Sequence, residues 1–65
     1  MHNELNKDPI FLDRKDVAKL VNLSPTSLWR MYNRGEFPRP RRLGTGRVGW
    51  LLTEVTAWVN SRPTA

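Results

Sequence analysis

The sequence predicts a small, mostly α-helical domain: a winged helix-turn-helix with three helices and a two-stranded β-hairpin as the wing. Three observations predict this fold. Two short helical patterns, each with its own capping residue, are separated by only two residues. A glycine-rich turn between two β-prone runs follows, and a third helical pattern comes last. Two capped helices joined by a tight turn form a helix-turn-helix, and a hairpin attached to that motif is a wing.

Length and composition limit what this chain can be. Its 65 residues form one small domain with a thin core, and the absence of cysteine rules out disulfides and thiolate metal sites. The single histidine, His2, lies in a polar segment, so a zinc-stapled domain is excluded. No apolar run approaches the roughly 20 residues of a membrane span, and no signal peptide is evident. We expect a cytoplasmic protein with a flexible leader over residues 1–9, the domain over residues 10–62 and a tail over residues 63–65.

The first helix is predicted over residues 14–21. Asp13 is a suitable N-cap, Asp16 completes a capping-box-like pair with it, and Leu12 can pack on Val17 as a hydrophobic staple. The apolar positions that recur at helical spacing are Val17, Ala18, Leu20 and Val21.

The second helix begins after the break at Asn22 and Leu23. Ser24 supplies the N-cap, Pro25 takes the first helical position, and Gly35 ends the helix because it can adopt a positive φ. The buried stripe consists of Leu28, Met31 and Tyr32. At 100° per residue, the side chains that face outward are Thr26, Arg30 and Asn33, with Ser27, Trp29 and Arg34 on the flanks.

Two prolines exclude a helix from the segment after Gly35, where Phe37 is expected to plug the core. Residues 41–43 and 47–50 then flank the turn Gly44-Thr45-Gly46, which predicts the wing. The apolar face of the third helix consists of Leu52, Val55, Trp58 and Val59. This helix is expected to end near residues 62–63. Its start is left open between a Thr53 cap and an earlier beginning at Leu51 or Leu52. We assign Trp50 and Trp58 to the core.

The net charge of +5 comes entirely from residues 30–47, where six arginines oppose one acid, Glu36. The other basic and acidic residues cancel. Arginine carries a planar fork that pairs with phosphates and with the guanine edge, so this segment indicates a nucleic-acid surface. Charge alone does not distinguish DNA from RNA or acidic lipid, and a basic surface that only aids solubility is the simplest alternative.

The outward face of the second helix has the chemistry to discriminate bases. Arginine pairs with guanine, asparagine pairs with adenine, and threonine offers a hydroxyl and a methyl group. The candidate DNA-binding residues on this recognition helix are Ser24, Thr26, Ser27, Trp29, Arg30, Asn33 and Arg34. Those in and beside the wing are Arg39, Arg41, Arg42, Thr45, Gly46 and Arg47. The alternative for the helix is that its outward face is an ordinary solvated surface. The alternative for the wing is that its glycine-rich segment is a plain β-turn. For Trp29 we favour partial burial against the wing over presentation to a partner.

Catalysis finds no support in the sequence. There is no Ser/His/Asp set, the acids are scattered, and the glycine turn lacks the lysine and length of a phosphate-binding loop. We expect no enzyme, no metal, no cofactor, no small-molecule substrate and no membrane partner.

Five motifs together resemble the AlpA family of prophage regulators. They are LSPTSLWR at residues 23–30, GEFP at 35–38, RLG at 42–44, VGW at 48–50 and EVTAWV at 54–59. The resemblance spans about residues 11–62. It implies a winged helix-turn-helix similar to the DNA-binding head of MerR-type regulators and to small phage excisionases. It also implies a recognition helix over residues 25–34, with Thr26, Ser27, Trp29, Arg30 and Asn33 toward DNA, and a wing over residues 42–47. The family commonly has tyrosine at position 29 and an aliphatic residue at position 32.

We therefore expect a sequence-specific protein that binds double-stranded DNA as an excisionase, also called a recombination directionality factor, or as the related transcriptional regulator of an integrase gene. One short helix specifies few base pairs, so several copies are expected side by side on repeated sites, bending the DNA, with an integrase as a further partner. The competing class is a small inhibitor that docks on a regulator or recombinase through Trp29 and the basic face. Single-stranded RNA binding ranks lower, because few aromatic residues are available for base stacking.

Overall fold

A computed structural model describes residues 10–65 and has the predicted winged helix-turn-helix fold; the proposed leader over residues 1–9 lies outside the described residues. The elements in chain order are β1 (Phe11–Leu12), α1 (Arg14–Val21), α2 (Pro25–Asn33), β2 (Arg41–Gly44), β3 (Arg47–Leu51) and α3 (Leu52–Asn60). Helices α1 and α2 form the helix-turn-helix, and β2 and β3 form the wing. None of the helices in the described part of the chain has the length and apolarity needed to cross a membrane.

The first two helices have the predicted caps. The backbone N–H of Asp16 donates to Asp13 Oδ1 over 2.8 Å, and that of Ser27 donates to Ser24 Oγ over 3.1 Å. Asn22 ends α1 in the left-handed region with φ 60°, which its short polar side chain tolerates.

Gly35 ends α2 with φ +76°, and beyond it the N–H of Glu36 donates to the carbonyl of Met31 over 2.9 Å. This is the Schellman arrangement, which satisfies a carbonyl that the helix leaves free. Local capping chemistry therefore sets the ends of both helices.

The sheet has three antiparallel strands in the order β1-β3-β2, so the wing strand β3 lies in the centre. Strand β1 was not predicted. Leu12, expected only as a staple on α1, pairs with Trp50, and Phe11 pairs with Leu51. A two-residue strand carries too little periodicity to be recognised in a sequence. Its pairing ties the start of α1 to the wing.

Trp50 is the centre of the core and is fully buried. Tyr32 and Phe37 meet its ring edge-on, with centroids at 5.7 Å and 6.5 Å. Its Nε1–H donates to the carbonyl oxygen of Pro38 over 2.7 Å, which satisfies its polar atom. The buried hydrophobic residues are Val17, Ala18, Leu28, Tyr32, Phe37, Trp50 and Val55. The core assignments of Phe37 and Trp50 are confirmed, whereas Trp58 is only half-buried, at the margin.

Two residues predicted to be on apolar faces are exposed. Leu20 is 57% exposed because it lies to one side of the stripe that Val17 and Ala18 direct into the core. Val59 is 46% exposed because it belongs to the last turn of α3, beyond the residues that reach the core.

Helix α3 begins at Leu52 without a side-chain cap, so Thr53 is not its N-cap. The N–H of Leu52 instead donates to the carbonyl of Ile10 over 2.8 Å. The helix ends at Asn60, earlier than residues 62–63, with Ser61 as its C-cap.

Candidate nucleic-acid interface

The outward face of α2 is as the helical period predicts. Thr26, Arg30 and Asn33 are exposed, whereas Leu28 and Tyr32 on the opposite side are buried. The side-chain amide of Asn33 donates to the carbonyl oxygen of Trp29 over 2.8 Å. Asn33 must leave that bond to pair with adenine through both amide atoms. Arg30 is therefore better prepared than Asn33 to contact a base edge.

Trp29 is 57% exposed and no wing residue lines the groove at its ring, so the partial burial against the wing that we favoured is wrong. Trp50 already fills the centre of the core, and the helical rotation places position 29 on the flank of α2. The ring instead lines a shallow groove with Arg14, Pro25 and Thr26. A large aromatic side chain exposed on the predicted reading face is available to a partner.

Ser24 and Ser27 mainly complete the N-terminus of α2. The Ser24 hydroxyl accepts the Ser27 N–H and donates to Ser27 Oγ over 3.0 Å. Both hydroxyls are thus engaged in the cap before any ligand arrives. The structure gives these two predicted contact residues a local structural role.

Two of the arginines predicted to bind DNA have partners within the domain. Arg39 Nη1 donates to the carbonyl oxygen of Tyr32 over 3.3 Å, and its guanidinium carbon lies 5.8 Å from the centre of the Tyr32 ring. Arg41 Nη2 forms an ion pair with Glu54 Oε2 at 2.6 Å. That hydrogen bond, together with the negative charge of Glu54, raises the pKa of the Arg41 guanidinium.

Four other predicted arginines point their side chains into solvent without a hydrogen bond or ion pair to any residue in the described range 10–65. They are Arg30, Arg34, Arg42 and Arg47. Thr45 and Gly46, at the tip of the wing, are exposed as well, and Gly46 has φ +74°, which the tight turn requires. The arginines whose side chains are available to a ligand are therefore fewer than the arginines predicted to bind DNA.

Arg14 is the functional candidate that the sequence did not reveal. As the first residue of α1, it lines the groove that holds Thr26 and Trp29, and it also lines a second groove with Gly46 and Arg47 of the wing. Arg14 therefore lies between the outward face of α2 and the wing tip. In the sum of charges along the sequence, the positive charge of Arg14 was balanced by nearby acidic residues. Only the pairing of β1 with β3, which places the start of α1 beside the wing, would have revealed it.

Lys15 joins Arg14 at the second groove, together with Asp13. The acid does not neutralise this end of the surface completely, because the same groove holds the three cationic side chains of Arg14, Lys15 and Arg47. Cationic groups of α1 and β3 thus share one groove, and through Arg14 this groove adjoins the one that Thr26 and Trp29 of α2 line. Such a basic strip along a helix-turn-helix is suited to a polyanion backbone, with Arg30 placed to reach base edges.

Comparison with known proteins identifies a matching family and a relative. Residues 11–63 match the family model described as prophage CP4-57 regulatory protein (AlpA). A protein of Enterobacteria phage P4, described as uncharacterized protein ORF88, is 40% identical over 52 residues. That match covers 80% of this chain and 59% of the phage protein, so the chain spans under two thirds of its relative.

Proposed function

The chain belongs to the AlpA family of prophage regulatory proteins, and from this premise we propose that it binds double-stranded DNA sequence-specifically. In this proposal the outward face of α2 enters the major groove and the wing contacts the adjoining sugar-phosphate backbone. Arg30 pairs with a guanine, while Arg14, Arg42 and Arg47 neutralise phosphates.

The position of Arg14 is the observation that carries the proposal. A cation between a recognition helix and a wing lets both elements and the surface between them contact one DNA duplex. Arg14 adjoins Thr26 and Trp29 on one side and Gly46 and Arg47 on the other. A cation at this position favours a duplex, which presents phosphates on both sides of its groove, over a single-stranded ligand.

The length of α2 limits what one copy can read. Its nine residues span about 14 Å at 1.5 Å per residue, which corresponds to about four base pairs. We therefore propose that several copies load cooperatively on repeated sites near the attachment site of a mobile element and bend the DNA there. In that arrangement the protein acts as an excisionase that directs an integrase toward excision. It contributes no catalytic step of its own.

A second candidate is the transcriptional control of an integrase gene, and the description of the matching family as a regulatory protein favours it. Both activities would use the same DNA-binding surface. They differ in where the sites lie: beside the recombination core for an excisionase, and across a promoter for a regulator.

A gel-shift experiment with competitor DNA tests the proposal. The full chain is mixed with duplexes tiled across the DNA that flanks its own gene, in the presence of random duplex. We expect one tile to be retained and to give a ladder of discrete bands as copies load. Equal binding to every tile and to random duplex would contradict sequence-specific binding. A stable complex with a recombinase in the absence of DNA would instead support the inhibitor class.

The DNA tile that the protein retains is then used to distinguish the excisionase role from the regulatory role. Circularly permuted versions of it should migrate differently when bound if the protein bends DNA, and an integrase reaction in vitro should yield excision only when the protein is present. A retained tile that overlaps a promoter, with altered transcription and no effect on excision, would establish the regulatory role instead.

A further inference from the structure

We propose that Trp29, Thr26 and Arg14 form a notch that receives the 5-methyl group of a pyrimidine in the major groove, which makes Trp29 a specificity-determining residue. This inference rests on the proposed function, because it names what one part of the DNA-binding surface reads. It assigns a ligand to a side chain that contributes little to the core.

The three tryptophans of the domain have different surroundings. Trp50 and Trp58 donate their Nε1–H groups to the carbonyl oxygens of Pro38 and Glu36, over 2.7 Å and 2.8 Å, and both rings meet Phe37 edge-on. Trp29 makes no such hydrogen bond or ring contact with any residue in the described range, and it is 57% exposed. Packing within residues 10–65 therefore does not account for a tryptophan at this position.

The chemistry of the notch selects its occupant. Its lining residues are Arg14, Pro25, Thr26 and Trp29. The proline ring, the threonine methyl group and the indole are apolar, and the only charged group that residues 10–65 contribute to the notch is the guanidinium of Arg14. A phosphate oxygen would gain little from three apolar walls. The apolar feature that base pairs present in the major groove is the C5-methyl group of thymine, and 5-methylcytosine carries the same group.

The location of the notch is compatible with this ligand. Thr26 belongs to the outward face of α2, so the notch opens beside the residues proposed to face bases. Arg14 is the one lining residue that comes from α1, and it can pair with a phosphate or with a neighbouring guanine while the methyl group rests against the ring. A flat indole covers a methyl group with little loss of side-chain entropy, since it has only two rotatable bonds.

The experiment replaces single methyl groups on DNA. A preferred duplex is first selected from a random library with the full-length chain, and each thymine is then replaced by deoxyuridine, one at a time. Fluorescence anisotropy gives the dissociation constant of each duplex. We expect at least one thymine whose replacement weakens binding by about three- to fivefold, the effect of removing one methyl group from an apolar contact.

Two variants assign that effect to the indole ring. Trp29→Ala should bind the thymine and deoxyuridine duplexes equally, whereas Trp29→Phe, which keeps an aromatic ring and lacks the N–H donor, should retain most of the discrimination. Melting curves followed by circular dichroism establish that both variants are folded. Cytosine and 5-methylcytosine are then compared at the same position to identify the base whose methyl group is recognised. Tighter binding of the methylated base means that any 5-methylpyrimidine is accepted. Equal binding assigns the notch to thymine.

Three results would overturn the inference. They are a preferred duplex without thymine, a duplex in which no thymine replacement changes affinity, and a Trp29→Ala variant that keeps the full discrimination. If no duplex is preferred over random DNA, the proposed function itself fails, and that outcome is distinguishable from the other three.

Discussion

The guanidinium of Arg41, at the start of the first wing strand, is held 2.6 Å from the carboxylate of Glu54 in the first turn of α3. The pair ties the wing to the last helix. It also removes one cation from the set that could bind DNA, because Arg41 already has an anionic partner. Arg42 and Arg47, whose side chains have no hydrogen-bond or ion-pair partner within residues 10–65, therefore differ in role from paired Arg41, although all three were predicted to bind DNA.

Replacing Glu54 with glutamine should release Arg41 and raise the affinity for any duplex. The variant gains one net positive charge at the wing, so the dependence of the binding constant on salt should steepen by up to about one unit of log-log slope. Binding at several salt concentrations, with the melting temperature as a control for folding, measures this. Weaker binding at an unchanged melting temperature would mean that the ion pair positions the wing for DNA.

Arg30→Ala should relax sequence preference. We expect it to cost about 1–3 kcal/mol on the preferred duplex and much less on random duplex, because it removes a contact to a base edge. Arg47→Ala is the matched variant: it should weaken both duplexes alike and reduce the salt slope by about one. Competition binding on both duplexes measures the difference. Equal losses for Arg30→Ala on both would place Arg30 on the backbone.

Arg14→Ala should impair DNA binding even though the residue lies outside the arginine-rich segment. Lys19→Ala removes the same charge from the same helix but lies outside the two grooves that contain Arg14. We expect a several-fold larger loss of affinity and a larger drop in salt slope for Arg14→Ala. Indistinguishable losses in the two variants would mean that Arg14 acts only through net charge.

Gly49→Ala should destabilise the fold. An added Cβ would lie 2.8 Å from Leu43 Cδ1 and 3.1 Å from the carbonyl oxygen of Leu12, and the second atom belongs to the β1 backbone. We expect a loss of about 1 kcal/mol or more, which lowers the melting temperature by about 4–8 °C in a domain of this size.

Gly44→Ala is the matched control for Gly49→Ala, because no described residue other than its two chain neighbours has an atom within 4 Å of its added Cβ and its φ is not positive. Its stability should stay within about 0.5 kcal/mol of the parent. If Gly44→Ala were as destabilising as Gly49→Ala, the close approach of β1 to the wing would not be the cause.

Local chemistry explains why most of the fold was predictable. Asp13, Ser24 and Gly35 act on backbone groups within a few residues, so their roles follow from the sequence around them. Strand β1 was not predicted because its two residues form a strand only through their pairing with β3. The start of α3 stayed open because Leu51, its N-cap, offers no capping side chain.

The candidate site, like the fold, could be predicted from the sequence only where local spacing determines it. The outward position of Arg30 follows from the helical period, whereas the partners of Arg39 and Arg41 lie seven and 13 residues away and depend on tertiary packing. Trp29 was misjudged because a small core was expected to need its ring, and Trp50 fills that core instead. Arg14 lies next to the wing only through the fold, so the charge count along the sequence concealed it.

The most direct test follows backbone amide signals of the ¹⁵N-labelled chain by NMR as the preferred duplex is added. If α1, α2 and the wing form one DNA interface, the largest shift changes should fall at Arg14, Thr26, Trp29, Arg30 and Arg47. Residues 55–60 of α3, which lie away from the two grooves, should change little. Changes concentrated in α3, with those five amides unmoved, would contradict the account.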